Sequence, residues 1–304
     1  MMDLVIIGAG PAGITAAIYA ARKSLDFVLL SKDLGGQAAL SSDVENYTGY
    51  QFITGPDLVS KFEEHLKQFN IRFHIGEQVR GVSKKADASF VVDSDKGSYE
   101  SRTVLVASGR RPRWLDIPGD REFRNKGVSY CATCDGPLFS GKAVAIIGGG
   151  NSALDACLQM MPIAQKIYLV NVNPSLDGDE VMRRKVQESP KVEILNNARS
   201  REVLGDGFVK GLKVAVNGAE RELSVEGVFV EIGSVPNNEM ADFVGKNPYG
   251  EIVVDHLNQT NVPGVFAAGD VTNVPEKQII VAAGEGAKAV LGIFRYLSQR
   301  GQES

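Results

Sequence analysis

The sequence predicts an α/β protein in which one three-layer domain is inserted into another of the same kind. Two observations predict this architecture. A strand–turn–helix pattern occurs twice, and a further strand-like segment followed by a helical segment lies near the C-terminus. The 304 residues suffice for about two domains. A hydrophobic fraction of 43% and a charged fraction of 23% are ordinary for a globular chain and exclude a disordered or collagen-like one.

The first copy of the pattern begins with the apolar residues 4–7, which suit a buried parallel strand. They lead into the turn Gly8-Ala-Gly-Pro-Ala-Gly13, a helical stretch over 12–23 and a second strand over 27–30. In such a turn the first glycine permits the sharp bend, the second lets the backbone approach a pyrophosphate, and the third lets the helix pack against the strand. The helix N-terminus offers free N–H groups to the phosphates.

The second copy has the same order. Residues 144–147 are apolar, the turn is Gly148-Gly-Gly-Asn-Ser-Ala153, and a helix over 152–161 and a strand over 167–172 follow. The two copies predict two Rossmann-like dinucleotide-binding domains. Gly148, Gly150, Asn151 and Ser152 are the expected pyrophosphate contacts of the second.

A third signal predicts that the chain returns to its first domain. A strand over 262–268 ends in Gly269-Asp270, and a helical pattern runs from 278 to 299. The segments 107–114 and 232–238 are rich in glycine and proline and mark the two crossings. We therefore expect one discontinuous domain over 1–112 plus 242–304 and an inserted domain over 113–241.

Both copies lack the acidic residue that usually binds a ribose hydroxyl about 20 positions after the first glycine. The end of the second strand falls at Ser31 in the first copy and at Asn171 in the second. An asparagine can still hydrogen-bond a hydroxyl, so Asn171 is the expected ribose contact.

The three cysteines indicate redox chemistry. Cys131 and Cys134 form the motif Cys-Ala-Thr-Cys, whereas structural zinc usually needs about four ligands, which neither the cysteines nor the histidines supply. A close pair of this kind favours a redox-active dithiol. Asp135 follows directly and is a candidate acid–base group, whereas Cys157 has the surroundings of a small buried hydrophobe. No metal site is predicted.

The charge balance excludes some partners. There are 33 basic and 37 acidic side chains, a net charge of −4, which argues against nucleic acid or anionic lipid. No apolar stretch approaches the roughly 20 residues of a membrane span. No signal peptide is evident, so a cytoplasmic location is expected.

Together these motifs resemble the low-molecular-weight thioredoxin reductases and the related flavoprotein reductases of alkyl hydroperoxide systems. The resemblance runs from about residue 3 to residue 300 and begins at the first nucleotide strand, so the thioredoxin-like N-terminal extension of the hydroperoxide-system reductase is not expected. The motifs that carry it are Gly8–Gly13, Gly35-Gly36-Gln37, Glu45-Asn46-Tyr47, Cys131–Gly136, Gly148–Asn151, Gly264–Asp270 and Gln278–Gly286.

The resemblance implies a homodimeric flavoprotein that acts on thioredoxin or a thioredoxin-like protein. It implies that Cys134 faces the flavin, that Cys131 attacks the protein disulfide and that Asp135 transfers a proton. The discontinuous domain would bind FAD and the inserted domain a nicotinamide nucleotide. The implied FAD contacts are Gly8, Gly10, Pro11, Ala12, Gly13, Gly36, Gln37, Asn46, Ala107, Gly109, Gly269, Asp270, Gln278 and Ile279.

The sequence departs from NADPH-dependent members of this family at the end of the second-domain strand. Their His-Arg-Arg is replaced here by Asn171-Val172-Asn173, and Asp177 stands where a later arginine would be. A carboxylate repels a 2′-phosphate. Arg183 and Arg184 would compensate only if the loop folded back. NADH is therefore the expected donor and NADPH is disfavoured, with reduced ferredoxin as the alternative donor.

Two other functions remain open at this stage. A ferredoxin–nucleotide reductase shares the two nucleotide domains, but members of that group lack the redox pair. A non-enzymatic flavin redox sensor would bind FAD without turning over, and the intact cysteine pair with Asp135 argues against it.

Overall fold

The computed structural model describes residues 1–41, 43–130 and 132–300, without the side chains of Asp43, Thr133 and Cys134. Within them the chain forms two compact units. Unit 1 comprises Met1–Arg111 and Val235–Ser304, and unit 2 comprises Pro112–Ser234. No helix of the described part of the chain is long and apolar enough to cross a membrane.

The strands are numbered in chain order: β1 (Met2–Ala9), β2 (Phe27–Leu34), β3 (Asp43–Val44), β4 (Ile53–Thr54), β5 (Arg72–Ile75), β6 (Val79–Lys84), β7 (Phe90–Ser94), β8 (Ser98–Val106), β9 (Arg110–Pro112), β10 (Val128–Ser129), β11 (Ala143–Ile147), β12 (Lys166–Val170), β13 (Val192–Leu195), β14 (Ala198–Asp206), β15 (Phe208–Val216), β16 (Ala219–Ser224), β17 (Gly227–Val230), β18 (Ser234–Pro236) and β19 (Val265–Ala267). The helices are α1 (Pro11–Arg22), α2 (Gly55–Lys67), α3 (Ala132–Asp135), α4 (Asn151–Met160), α5 (Glu180–Glu188) and α6 (Ile279–Arg300).

Unit 1 is built on a mixed sheet of order β5-β2-β1-β8-β7-β6, in which β19 also pairs with β8. The strands β5, β2, β1, β8 and β19 run parallel, whereas β6, β7 and β8 pair antiparallel. Successive residues of β1 enter opposite core layers: Leu4 and Ile6 pack with α1 and α6, and Val5 and Ile7 pack in the other layer. A strand covered on both faces is the reason for its continuous apolar run.

Unit 2 has a fully parallel sheet of order β10-β17-β11-β12-β13 and a separate antiparallel sheet β14-β15-β16. Its central strand β11 repeats the pattern of β1, because Val144 and Ile146 lie in one core layer and Ala145 and Ile147 in the other. The predicted fold, two layered α/β domains with the second inserted in the first, is confirmed.

Details of the boundaries differ from the expected ones. The second crossing falls between Ser234 and Val235 instead of after residue 241, because a 3-10 turn over Glu239–Ala241 packs against β6 of unit 1. Strand β12 ends at Val170 rather than at 172, since Asn171 Oδ1 accepts the N–H of Asn173 (3.1 Å) and bends the backbone into a loop. The antiparallel strands of both units were not predicted.

Candidate cofactor and redox sites

The first glycine turn joins β1 to α1 in a closely packed geometry. A Cβ on Gly13 would lie 1.8 Å from the carbonyl oxygen of Gly8, and one on Gly8 would lie 2.4 Å from that of Ala107. Gly8 also has a φ of +105°. By contrast, a Cβ on Gly10 would meet no atom within 4 Å. The first and third glycines are therefore required by packing, and the second faces open space, as a phosphate approach requires.

The other expected FAD residues of unit 1 converge on this turn. Ala107 follows β8 and its N–H donates to Ile7 O (2.8 Å). A Cβ on Gly269, which follows β19, would lie 2.9 Å from the Ala12 side chain, and one on Gly36 would lie 3.6 Å from Gly10 Cα. These segments all lie at the carboxyl ends of the parallel strands. Sheets of this type bind their ligands at that edge.

Two side-chain bonds link distant segments of the same expected site. Gln37 Nε2 donates to the carbonyl oxygen of Arg110 (2.9 Å). Asn46 Nδ2 donates to Gln278 Oε1 (3.1 Å). Gln278 is the residue just before α6, which starts at Ile279. Pro11 is the first residue of α1, and Gly109 has a φ of +64° just after β8.

Asp270 lies beside a cluster of charges in unit 1. Burial raises the pKa of its carboxyl group, and the positive charges of Lys277 and Arg110 offset part of that rise. Both cations are ion-paired to Glu251, at 2.9 Å from Lys277 Nζ and 2.8 Å from Arg110. The open space over Gly10 and the convergence of these segments fit an adenine dinucleotide, so the residues present fit FAD.

The second glycine turn opens onto a cavity of about 800 Å³ within unit 2. A Cβ on Gly148 would lie 2.2 Å from the carbonyl oxygen of Glu231, whereas one on Gly150 would meet nothing within 4 Å. Asn151 and Ser152 begin α4 and line the cavity with the turn. This turn therefore has the same division into packed and open glycines as the first, and it fits a second dinucleotide.

Asn171 does not offer a free amide to this cavity. It is 1% exposed. Its Nδ2 donates to Asn173 O (3.1 Å), Ser175 O (2.8 Å) and Asn196 Oδ1 (2.9 Å). The amide NH₂ group is thus committed to the loop after β12, and Oδ1 already accepts the N–H of Asn173, which leaves one acceptor site for a ribose hydroxyl.

That loop folds onto the glycine turn. The N–H of Asp177 donates to Gly149 O (2.8 Å), and the N–H of Asp179 donates to Asn151 Oδ1 (2.7 Å). Arg184 pairs with Glu180 on α5 at 3.3 Å, and Arg183 donates to Leu176 O at 3.4 Å. Neither arginine is among the residues that line the cavity in the described part of the chain.

Glu231 is a site residue that the sequence reasoning missed. It follows β17, lines the cavity and accepts the N–H of Ala132. Burial raises the pKa of its carboxyl group from 4.5 to about 8, with a further contribution from Asp155. A carboxyl that ends an otherwise apolar strand was the available signal. Arg199, Ser200 and Arg201 of β14 also line the cavity and were missed.

The redox motif is only partly described. Cys131 lies outside the described residues, and of Cys134 the structure gives the backbone within α3. Asp135 ends α3 and precedes a 3-10 turn over Gly136–Phe139. Cys157 is fully buried, and burial raises the pKa of its thiol to about 12. It is therefore unsuited to thiolate chemistry near neutral pH.

Comparison with known proteins places the chain in a family. The family model described as pyridine nucleotide-disulphide oxidoreductase matches residues 2–286. Among curated proteins, the chain is 41% identical over 298 residues to an NADH dehydrogenase of Ferdinandcohnia aciditolerans. It is also 41% identical over 301 residues to the F component of the alkyl hydroperoxide reductase of Pseudomonas putida. Each match covers 97% of this chain but only 57% and 58% of those proteins.

A solved structure matches over its whole length. Thioredoxin reductase of Lactococcus lactis superposes with a TM-score of 0.92 at 31% identity, covering 98% of this chain and 100% of the other. The predicted class, a flavoprotein disulfide oxidoreductase, is confirmed at the level of the family. The chain belongs to the pyridine nucleotide-disulphide oxidoreductase family and is a thioredoxin reductase-like member of it.

Proposed function

We propose that the chain is an FAD-dependent disulfide reductase that takes electrons from a reduced nicotinamide nucleotide and reduces a disulfide of thioredoxin or a thioredoxin-like protein. The observation that carries this proposal is the match to a thioredoxin reductase along the full length of that chain. The family model, which matches residues 2–286, spans the segment of Cys131 and Cys134. The chain spans less than three fifths of the curated relatives it matches, so their activities are not transferred as a whole.

Unit 1 is the proposed FAD domain. The backbone N–H groups at the start of α1 bind the pyrophosphate, and the open face of Gly10 allows the close approach. Asp270, Gln37, Asn46 and Gln278 fix the orientation of the cofactor. When bound, the flavin supplies a two-electron store between nucleotide and disulfide.

The cysteines carry the exchange with the protein substrate. In the reduced pair the Cys131 thiolate attacks one sulfur of the substrate disulfide, which forms a mixed disulfide and releases a substrate thiolate. Asp135 donates the proton that this leaving thiolate takes up. Cys134 then attacks Cys131, which closes the Cys131–Cys134 disulfide and releases the second substrate thiol. The net change is two electrons and two protons added to the substrate disulfide.

Unit 2 is the proposed nucleotide domain. The Gly148–Ser152 turn and the start of α4 bind the pyrophosphate. The loop after β12 carries Asp177 and no cation at the positions that the family uses for a 2′-phosphate. NADH is therefore the donor that this loop favours. We further propose that the working molecule is a homodimer, which light scattering of the purified chain tests.

Anaerobic reduction of the purified yellow protein tests the donor. NADH, NADPH and reduced ferredoxin are added separately, and bleaching of the flavin absorbance is followed. Rapid bleaching by NADH supports the proposal. Bleaching by reduced ferredoxin alone would instead make the chain a ferredoxin-dependent reductase, and a bound flavin that none of the three reduces would favour the redox sensor.

The proposed role of Cys131 and Cys134 in disulfide reduction is tested by Cys134→Ser, with Cys157→Ser as the matched control. We expect Cys134→Ser to abolish thioredoxin reduction while the nucleotide still bleaches the flavin. Cys157→Ser should keep both reactions, because Cys157 is buried in the core of unit 2. Unchanged thioredoxin reduction in Cys134→Ser would overturn the proposal.

A further inference from the structure

We propose that Arg199 and Arg201 of β14 form a phosphate site for the adenosine 2′-phosphate of NADPH, so that NADPH is a donor in addition to NADH. This inference rests on the proposed function in one respect, that the unit 2 cavity takes an adenine dinucleotide.

The start of β14 lies beside the loop that follows β12. The N–H of Ala198 donates to Asn171 O (2.9 Å), and the N–H of Asn197 donates to Asn173 O (3.0 Å). In folds of this type the adenosine ribose binds at the end of the second strand, which here is β12. Arg199 and Arg201 therefore follow directly after the segment that borders the ribose position, and both line the cavity.

The local geometry of β14 departs from a regular strand at Arg201. Ser200 pairs with Val214 and Glu202 pairs with Lys213, so Arg201 is the extra residue of a β-bulge. Bulges redirect a side chain out of the regular alternation and are enriched next to binding sites. The bulge therefore breaks the alternation of β14 at one of the two arginines.

The charges of this pair are not neutralised within the protein. Both side chains are exposed, and in the described part of the chain neither has a carboxylate partner within 4.0 Å. Other arginines of unit 2 have carboxylate partners: Arg184 pairs with Glu180 at 3.3 Å, and Arg221 pairs with Glu193 at 2.8 Å. Two unpaired guanidinium groups at a cavity wall suit a phosphate dianion.

Ser200 supplies a second, independent observation. It lines the same cavity and is 9% exposed, and its Oγ is buried without a hydrogen-bond partner among the described residues. An unpaired buried hydroxyl costs free energy that a bound acceptor would recover. Glu231 lines the cavity as well, and its raised pKa limits its repulsion of an anion at neutral pH.

The test uses two probes that differ by one phosphate. Adenosine 2′,5′-bisphosphate and adenosine 5′-monophosphate are titrated calorimetrically into the purified chain at low salt. We expect the 2′-phosphorylated probe to bind about tenfold tighter, as one charge-assisted contact supplies. Arg199→Ala and Arg201→Ala should each weaken binding of the 2′-phosphorylated probe by about three- to tenfold and leave the affinity for the monophosphate within about twofold. Arg184→Ala, which removes a paired arginine of α5, should change neither.

The outcomes separate this inference from the proposed function. Equal affinity of the wild-type chain for the two probes, or a preference that survives in the Arg199→Ala/Arg201→Ala double variant, overturns the phosphate site. NADH-driven thioredoxin reduction would still stand in that case. Conversely, a 2′-phosphate preference lost in the arginine variants supports the site even if the chain reduces no disulfide.

Discussion

Replacing Glu231 with glutamine should remove a pH-dependent penalty from the folding of unit 2. Burial, the largest cause, raises the pKa of the Glu231 carboxyl group from 4.5 to about 8, and the N–H bond from Ala132 offsets only part of that rise. Because the folded-state pKa is above the unfolded one, the folded protein holds a proton at neutral pH that the unfolded chain releases.

The difference between the folded and unfolded pKa values of Glu231 sets the sign and size of its effect on the free energy of unfolding. The stability contributed by the protonated group is fully present below about pH 4.5 and is lost as the pH rises through about 8. At about 1.4 kcal/mol for each pH unit between these values, the loss is about 3 kcal/mol at pH 7 and at most about 5 kcal/mol above pH 8. Glutamine keeps an acceptor for the Ala132 N–H and has no charge to bury.

The assay uses the single tryptophan of the chain, Trp114, which lies in unit 2 and contacts Tyr130 edge-on at 4.9 Å. Urea unfolding is followed by its fluorescence between about pH 5 and about pH 9, which spans most of the interval between the unfolded pKa of 4.5 and the folded pKa of about 8. Glu231→Gln should flatten the decline in unfolding free energy that the wild type shows across this range. Glu226→Gln, an exposed glutamate just before β17, is the control. Parallel pH profiles for the wild type and Glu231→Gln would refute the burial argument.

Further predictions concern the two turns and the third cysteine. Gly13→Ala should prevent stable folding of unit 1, because its Cβ would lie 1.8 Å from Gly8 O. Gly10→Ala should keep the melting temperature of the wild-type apoprotein but lose flavin on gel filtration. Asn171→Ala should cost about 1–3 kcal/mol in urea unfolding, since it leaves buried loop groups unpaired, and a smaller change would show that water replaces them. Cys157 should resist a thiol reagent in the native protein and react in urea; equal rates would contradict its burial.

The parts of the fold that were predictable depend on local chain chemistry. The turns at Gly8 and Gly148 were identified because their residue types answer a local steric demand, confirmed by the backbone contacts that a Cβ would violate. The residues that were missed depend on tertiary neighbours. Nothing in the sequence around Glu231 shows that its carboxyl meets the N–H of Ala132. Likewise, Arg199 becomes relevant only because the start of β14 bonds to the loop after β12.

The two copies of the duplicated pattern depart from ribose recognition in the same way. Ser31 is 8% exposed; its Oγ accepts the N–H of Ala9 (3.0 Å) and donates to Asp33 O (2.6 Å). Asn171, at the equivalent position, is 1% exposed and holds the loop that follows its own strand. In each unit a short polar side chain at this position braces the backbone where an acidic residue would usually hold a ribose.

A side chain whose donors are used to brace the backbone has none left to donate to a nucleotide. Residues of other strands are then needed to donate hydrogen bonds or positive charge to a nucleotide. In unit 2 the strand that starts beside the loop after β12 is β14, and its Arg199 and Arg201 line the cavity. The absence of cations after β12 therefore does not by itself determine which nucleotide unit 2 accepts.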